Sequence, residues 1–264
     1  MNTNKTYSVL KTKNLSIGYL SKKEEIVIAS NINFELFPGE LIGLVGANGI
    51  GKSTLLRTLT QLQNPLKGSI SIDGKPLESY TNQVLATRLS LVLTDKSLSK
   101  NLTVFELVSL GRQPYTNWIG TLTDKDISIV NKALEQTQAI DLATKKCFEL
   151  SDGQLQKVLI ARALAQDTPL IILDEPTTHL DMYHKAYILK LLQNIAKTAN
   201  KTILFSSHEI NLTIQLCDKM LVMTTNNSFY NTPCNLIKQD VFSTLFPKNI
   251  VEFDVNTGSF IVKK

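Results

Sequence analysis

The sequence predicts an α/β fold: a parallel-rich sheet, an N-terminal antiparallel β subdomain and an inserted α-helical subdomain. Three observations predict it. Short unbroken apolar runs recur along the chain with helical stretches between them, which is the pattern of parallel strands covered on both faces. The opening segment, Leu10–Phe37, alternates like a half-exposed strand pair with a turn near Ser21–Glu25. From about Leu102 to Lys146 the pattern turns mostly helical.

Taken in order, Leu41–Val45 reads as a buried strand running straight into glycines, and Ser53–Leu62 as the helix that follows. Gln154–Ala165 is a helix with Leu155, Val158, Leu159 and Ala163 on one side, and Ser151 and Asp152 suit its N-cap. Leu170–Leu173 is a second buried strand that ends in Asp174 and Glu175. Thr202–Phe205 is a third, leading into Ser206, Ser207 and His208, and Met220–Met223 is a fourth. Ser228–Val262 holds a short helix and a terminal hairpin. The expected division is a core of residues 8–95 and 166–225, a helical subdomain of 96–165 and a C-terminal extension of 226–264.

The 264 residues suit one sizeable domain. No apolar run approaches the ~18 residues of a membrane-spanning helix. The polar start, Met1–Tyr7, lacks the apolar centre of a signal peptide, so a cytoplasmic location is expected. Net charge is +5, but the lysines are scattered, which reads as a solvated surface with no nucleic-acid partner. Cys147, Cys217 and Cys234 are odd in number and far apart, so neither a disulfide framework nor a metal site follows. No spacing among His179, His184 and His208 supports a metal site either.

The strongest chemical signal runs from Gly46 through Ala47, Asn48, Gly49 and Gly51 to Lys52, Ser53 and Thr54. It matches the Walker A pattern G-x-x-x-x-G-K-[ST]. Glycines let the backbone wrap phosphates with its N–H groups, and the following helix adds the positive end of its dipole. Lys52 is expected to reach the β- and γ-phosphates, and Ser53 to offer its hydroxyl to Mg²⁺. Leu170–Glu175 fits a Walker B strand, with Asp174 holding Mg²⁺ and Glu175 polarising the attacking water. His208, just past the third strand, suits a γ-phosphate sensor. Leu150–Gln154 opens a helix with a second small polar and glycine turn, remote in sequence from the first loop. One active site has little use for two such turns. Two chains facing head to tail would use both.

These motifs together resemble the ATP-binding cassette (ABC) ATPases, over about Leu10 to Met223 and in that family's order. The resemblance implies a P-loop NTPase core, ATP and Mg²⁺ as ligands, and a homodimer that encloses two ATP molecules. Tyr19 resembles the aromatic residue that stacks on adenine. Ser151, Gly153 and Gln154 resemble the LSGGQ signature, with Asp152 in place of its first glycine. The stretch Thr178–Asp181 resembles the D-loop, which makes Asp181 a nucleotide-site candidate. Glu175 and His208, with Lys52, are the implied catalytic set. One departure stands out. The family places a glutamine at the end of the strand entering the helical subdomain, and Thr94 or Asp95 replaces it here. Thr94 would reach Mg²⁺ only through water, whereas Asp95 would add negative charge near the phosphates.

A finer resemblance, carried by Asn101–Tyr115, is to cassettes of bacterial iron–siderophore, haem and cobalamin importers. It implies a transmembrane permease whose short helix meets this region, an external substrate-binding protein, and a place on the cytoplasmic face of the inner membrane. Tyr115 and Trp118 are then either exposed contacts for that helix or subdomain core. A soluble ABC protein that dimerises on ATP without a membrane partner is the competing class. A single cassette with no room for a long coiled-coil insertion opposes it. A cassette that binds ATP without turning it over is suggested by Thr94 and opposed by Lys52, Asp174, Glu175 and His208.

Overall fold

Alternate side chains of a strand point to opposite faces, so a strand apolar at every position needs cover on both sides. The computed structural model, which describes residues 7–20, 24–93, 101–247 and 249–263, meets that demand. The chain opens with β1 (Leu10–Leu20), β2 (Glu25–Leu36) and β3 (Leu41–Gly46), then α1 (Lys52–Leu59), β4 (Lys67–Ile72) and β5 (Lys75–Pro76). Next come α2 (Asn82–Leu85), β6 (Leu89–Val92), α3 (Val104–Ser109), α4 (Asp124–Gln136) and α5 (Asp152–Ala165). Then follow β7 (Leu170–Leu173), α6 (Met182–Thr198), β8 (Thr202–Ser206), α7 (Ile210–Leu216), β9 (Lys219–Met223) and β10 (Ser228–Asn231). The chain closes with α8 (Pro233–Lys238), β11 (Val251–Asp254) and β12 (Ser259–Val262).

The main sheet has the order β10-β9-β3-β8-β7-β6, all parallel except β10. On β3, Leu41 and Val45 enter one core while Ile42 and Leu44 enter the other. On β8, Ile203 and Phe205 oppose Leu204 in the same way. The first core is closed by α3 to α7, and the second by α1 and an antiparallel sheet ordered β2-β1-β4-β5. Helix α7 lies so close to β3 that a Cβ on Gly43 would stand 2.1 Å from Thr213 Cγ2. Among the described residues no helix is long and apolar enough to cross a membrane.

Several boundaries differ from the sequence expectation. Helix α1 stops at Leu59, where Thr60 turns its hydroxyl back onto the Leu56 carbonyl and Gln61 becomes left-handed at φ 61°. Helix α5 starts at Asp152 because Ser151 and Gln154 form a reciprocal capping box. The turn at Ser21–Lys23 lies outside the described residues. The terminal hairpin is present as β11–β12, seated on α7 by Phe260 N–H donating to Asn211 Oδ1 at 2.9 Å.

Arg112 ties the helical stretch together. Its Nε donates to Asp126 Oδ1 at 2.9 Å, its Nη1 donates to the Ala165 carbonyl at 2.8 Å, and the guanidinium lies 4.1 Å from the Tyr115 ring centre. Gln166 then bonds the carbonyls of Ala86 and Leu89, which joins the end of α5 to the entry of β6. Hydrogen bonds from Thr123, aided by Arg112, hold the Asp126 carboxyl down at about 2. A depressed carboxyl stabilises the fold above its ordinary value of 3.8 and loses that contribution as pH falls toward 2. Replacing Arg112 by Met leaves Asp126 buried beside an uncharged neighbour. Urea unfolding at pH 7 should show a loss of about 3 kcal/mol, and the loss should shrink as Asp126 protonates below pH ~3.

Candidate functional site

The site is assembled at the carboxyl ends of three adjacent parallel strands, where open α/β sheets bind ligands. Strand β3 delivers the glycine loop, β8 delivers Ser206 to His208, and β7 delivers Asp174 and Glu175. Gly51 precedes α1 with φ 106°, a conformation that L side chains rarely adopt, and a Cβ there would stand 2.5 Å from Ile28 Cγ2. Lys52 is only 6% exposed. Its Nζ donates to the carbonyls of Gly46 at 2.9 Å and Ala47 at 3.1 Å, so the ammonium is held over the loop. Burial lowers its pKa, and the charges of Glu175 and Asp174 oppose that shift.

Ser53 Oγ donates to Asp174 Oδ1 at 3.3 Å. Two hard oxygens this close, one anionic, fit Mg²⁺, which prefers one or two protein oxygens plus phosphate and water. Among the described residues no group of three or more His, Cys, Asp or Glu is arranged to hold a metal. His208 Nε2 meets Glu175 Oε1 at 2.5 Å, and Thr178 Oγ1 donates to Glu175 Oε2 at 3.0 Å. Tyr19 bonds Thr54 through their hydroxyls at 3.0 Å. Tyr19, Ile28, Asn48, Gly49, Gly51, Lys52, Ser53, Thr54, Glu175 and His208 line a cleft of about 500 Å³. That volume suits a small-molecule ligand.

The cleft thus gathers Tyr19, Asn48, Gly49, Gly51, Lys52, Ser53, Thr54, Glu175 and His208, with Gly46, Ala47 and Asp174 directly behind them. It does not gather Ser151, Gly153, Gln154 or Asp181. Ser151 and Gln154 cap α5, and Gly153 packs beneath the His184 ring. Asp181 caps α6 by accepting from His184 N–H at 2.8 Å. Thr94 and Asp95 lie outside the described residues. Both Tyr115 and Trp118 are exposed. Tyr115 donates its hydroxyl to the Gln166 carbonyl, while Trp118 is 94% exposed.

Sequence reasoning missed Ile28 and Ser206 as parts of the site, and named Thr178 only as the start of the D-loop stretch. Ile28 carries no chemistry to signal it. Ser206 accepts from Glu175 N–H at 2.8 Å and donates to Asp174 Oδ1 at 2.6 Å. A hydroxyl ending an apolar strand was the available signal.

The ABC transporter family model matches residues 29–178. The chain belongs to that family. The cassette is an ATPase, and its fold is that of solved relatives. It is 35% identical over 240 residues to the achromobactin transport ATP-binding protein of Dickeya dadantii, covering 90% of this chain and 88% of that one. It superposes on a metal-chelate type ABC transporter in an inward-facing conformation with TM-score 0.79 and 28% identity, over 96% and 95% of the two chains. It also superposes on a dimeric, post-hydrolysis ATP-binding cassette bound to ADP and phosphate, with TM-score 0.72 and 26% identity, over 85% and 98%.

Because Gly51 is both left-handed and crowded by Ile28, Gly51→Ala should weaken ATP binding at least about tenfold while the protein stays folded. Calorimetric titration with ATP, beside a thermal melt, checks this.

Proposed function

We propose that this cassette is the motor of an importer that takes up iron–siderophore, haem or related metal chelates. The observation that carries the motor reading is the cleft itself. An ammonium, a hydroxyl–carboxylate pair and a Glu175–His208 contact converge where the glycine loop would hold a triphosphate. The achromobactin relative and the metal-chelate type neighbour support the class of cargo.

In this reading Lys52 and the loop N–H groups bind the phosphates, and Tyr19 stacks on the base. Ser53 and Asp174 would hold Mg²⁺, which supplies charge neutralisation at the phosphates. Glu175 takes a proton from the attacking water, and His208 steadies Glu175 and senses the γ-phosphate. Ser151, Gly153, Gln154 and Asp181 serve the partner's nucleotide in a head-to-tail homodimer. Their position outside this chain's own cleft supports that assignment, as does the dimeric neighbour. ATP would hold the dimer closed, and hydrolysis would let it reopen. We read the chain as a core of residues 8–95 and 166–225, a helical subdomain of 96–165 and a C-terminal extension of 226–264.

A second cleft of about 480 Å³ lies on the helical side, lined by Phe105, Leu110, Trp118, Ile119 and Leu122 among others. Its exposed Trp118 and Ile119 suit the short helix of a permease at the cytoplasmic face of the membrane. An external binding protein would hand cargo to that permease.

Glu175→Gln should cut hydrolysis by at least about 100-fold and leave an ATP-bound dimer stable to gel filtration. Hydrolysis at the wild-type rate by that variant would overturn the assignment. Trp118→Ser should release the cassette from its permease in detergent co-purification, and undiminished recovery would exclude this groove as the contact.

A further inference from the structure

Ser206 is the last residue of β8, the strand that lies between the glycine-loop strand β3 and the acidic strand β7. It is 0% exposed. The residues before it, Ile203, Leu204 and Phe205, are apolar and equally buried, so the strand's own stability does not call for a hydroxyl here. A serine hydroxyl has one proton to give and two lone pairs to receive. Ser206 uses them on two different residues of the site: it gives its proton to Asp174 and receives the backbone N–H of Glu175.

Both partners need outside support. Glu175 has a left-handed backbone at φ 48°. Such a conformation persists in a non-glycine residue only when its surroundings fix it. Ser206 fixes the N–H end of that turn, and Thr178 closes the other end by donating its own N–H to the Glu175 carbonyl at 3.2 Å. The direction of the Glu175 side chain toward His208 follows from that backbone. On Asp174, the same oxygen that receives Ser206 also receives Ser53. One buried hydroxyl therefore sets the orientation of both acidic residues at once.

We propose that Ser206 is a positioning residue for ATP hydrolysis, aligning the Asp174 carboxylate and the Glu175 turn from within the sheet. This rests on the roles proposed above for Asp174 and Glu175. Ser206→Val puts two methyl groups where the hydroxyl stood and removes both hydrogen bonds, and Ser206→Thr adds the same branch while keeping the hydroxyl, so the pair isolates the hydrogen bonds from the change in volume. In the full chain, kcat should fall roughly 10- to 100-fold while KM and the affinity for a fluorescent ATP analogue without Mg²⁺ stay within about twofold. The Mg²⁺ concentration that half-completes the tightening of analogue binding should rise several-fold, which is a readout independent of turnover. Ser206→Thr restores the hydroxyl and should restore both values.

The proposal is overturned if Ser206→Val turns over within about twofold of wild type, or if Ser206→Thr rescues neither quantity. Should the valine variant fail to fold, Ser206→Ala against Ser206→Thr makes the same comparison. Glu175→Gln is run beside them. If it hydrolyses ATP normally, the underlying roles fail. If it is inactive while Ser206→Val is active, the role of Ser206 alone fails.

Discussion

The site depends on one constraint, the parallel pairing of β3, β8 and β7. Neighbouring strands lie ~4.8 Å apart, so loops leaving the same end of adjacent strands must meet. Burial on both faces holds the three strands in that order, and the register pairs Leu44 with Ser206 and Leu173 with Phe205. From that register the positions of Asp174, Glu175 and His208 around the glycine loop follow with little further adjustment. Changes in the loops can tune the chemistry. A change of strand order would dismantle it.

Charge balance is the second layer. Lys52 is driven toward its neutral form by burial and returned toward the cation by Asp174 and Glu175. An ammonium held by backbone carbonyls in that setting is pre-oriented and weakly hydrated, which would strengthen its pull on a phosphate in the proposed role. The two carboxylates that keep it charged need placement of their own. Hydroxyls from Ser53, Ser206 and Thr178 provide it without adding charge.

Much of this was legible in the sequence. The largely apolar runs at 41–45, 170–173, 202–205 and 220–223 marked four of the parallel strands within a residue or so, because burial on both faces leaves few polar positions. The Walker A loop was legible because glycine spacing and a lysine have few other uses. Ser151 as a cap was legible because capping is local. What escaped was set by tertiary contact. Ile28 becomes a cleft wall only because β2 pairs with β1 beside Tyr19. The left-handed turn at Glu175 has no glycine to announce it. Strand β4 was not evident in the sequence because it is short and half exposed, and its pairing with β1 decides it. The aromatic packing of Phe242, Phe253 and Phe260 that seats the terminal hairpin joins residues with no periodic relation.

The stretch matched by the family model ends at residue 178, before β8 begins. The middle strand of the three that build the cleft, with Ser206 at its end and His208 just past it, therefore lies beyond that stretch. A fragment limited to that stretch would carry the glycine loop, Lys52, Asp174 and Glu175 and still lack the slat on which β3 and β7 both lean. For heredity, the smallest portable piece of this machine is much longer than its signature. Recombination that preserved the motifs and exchanged the tail would pass on a grip without a trigger.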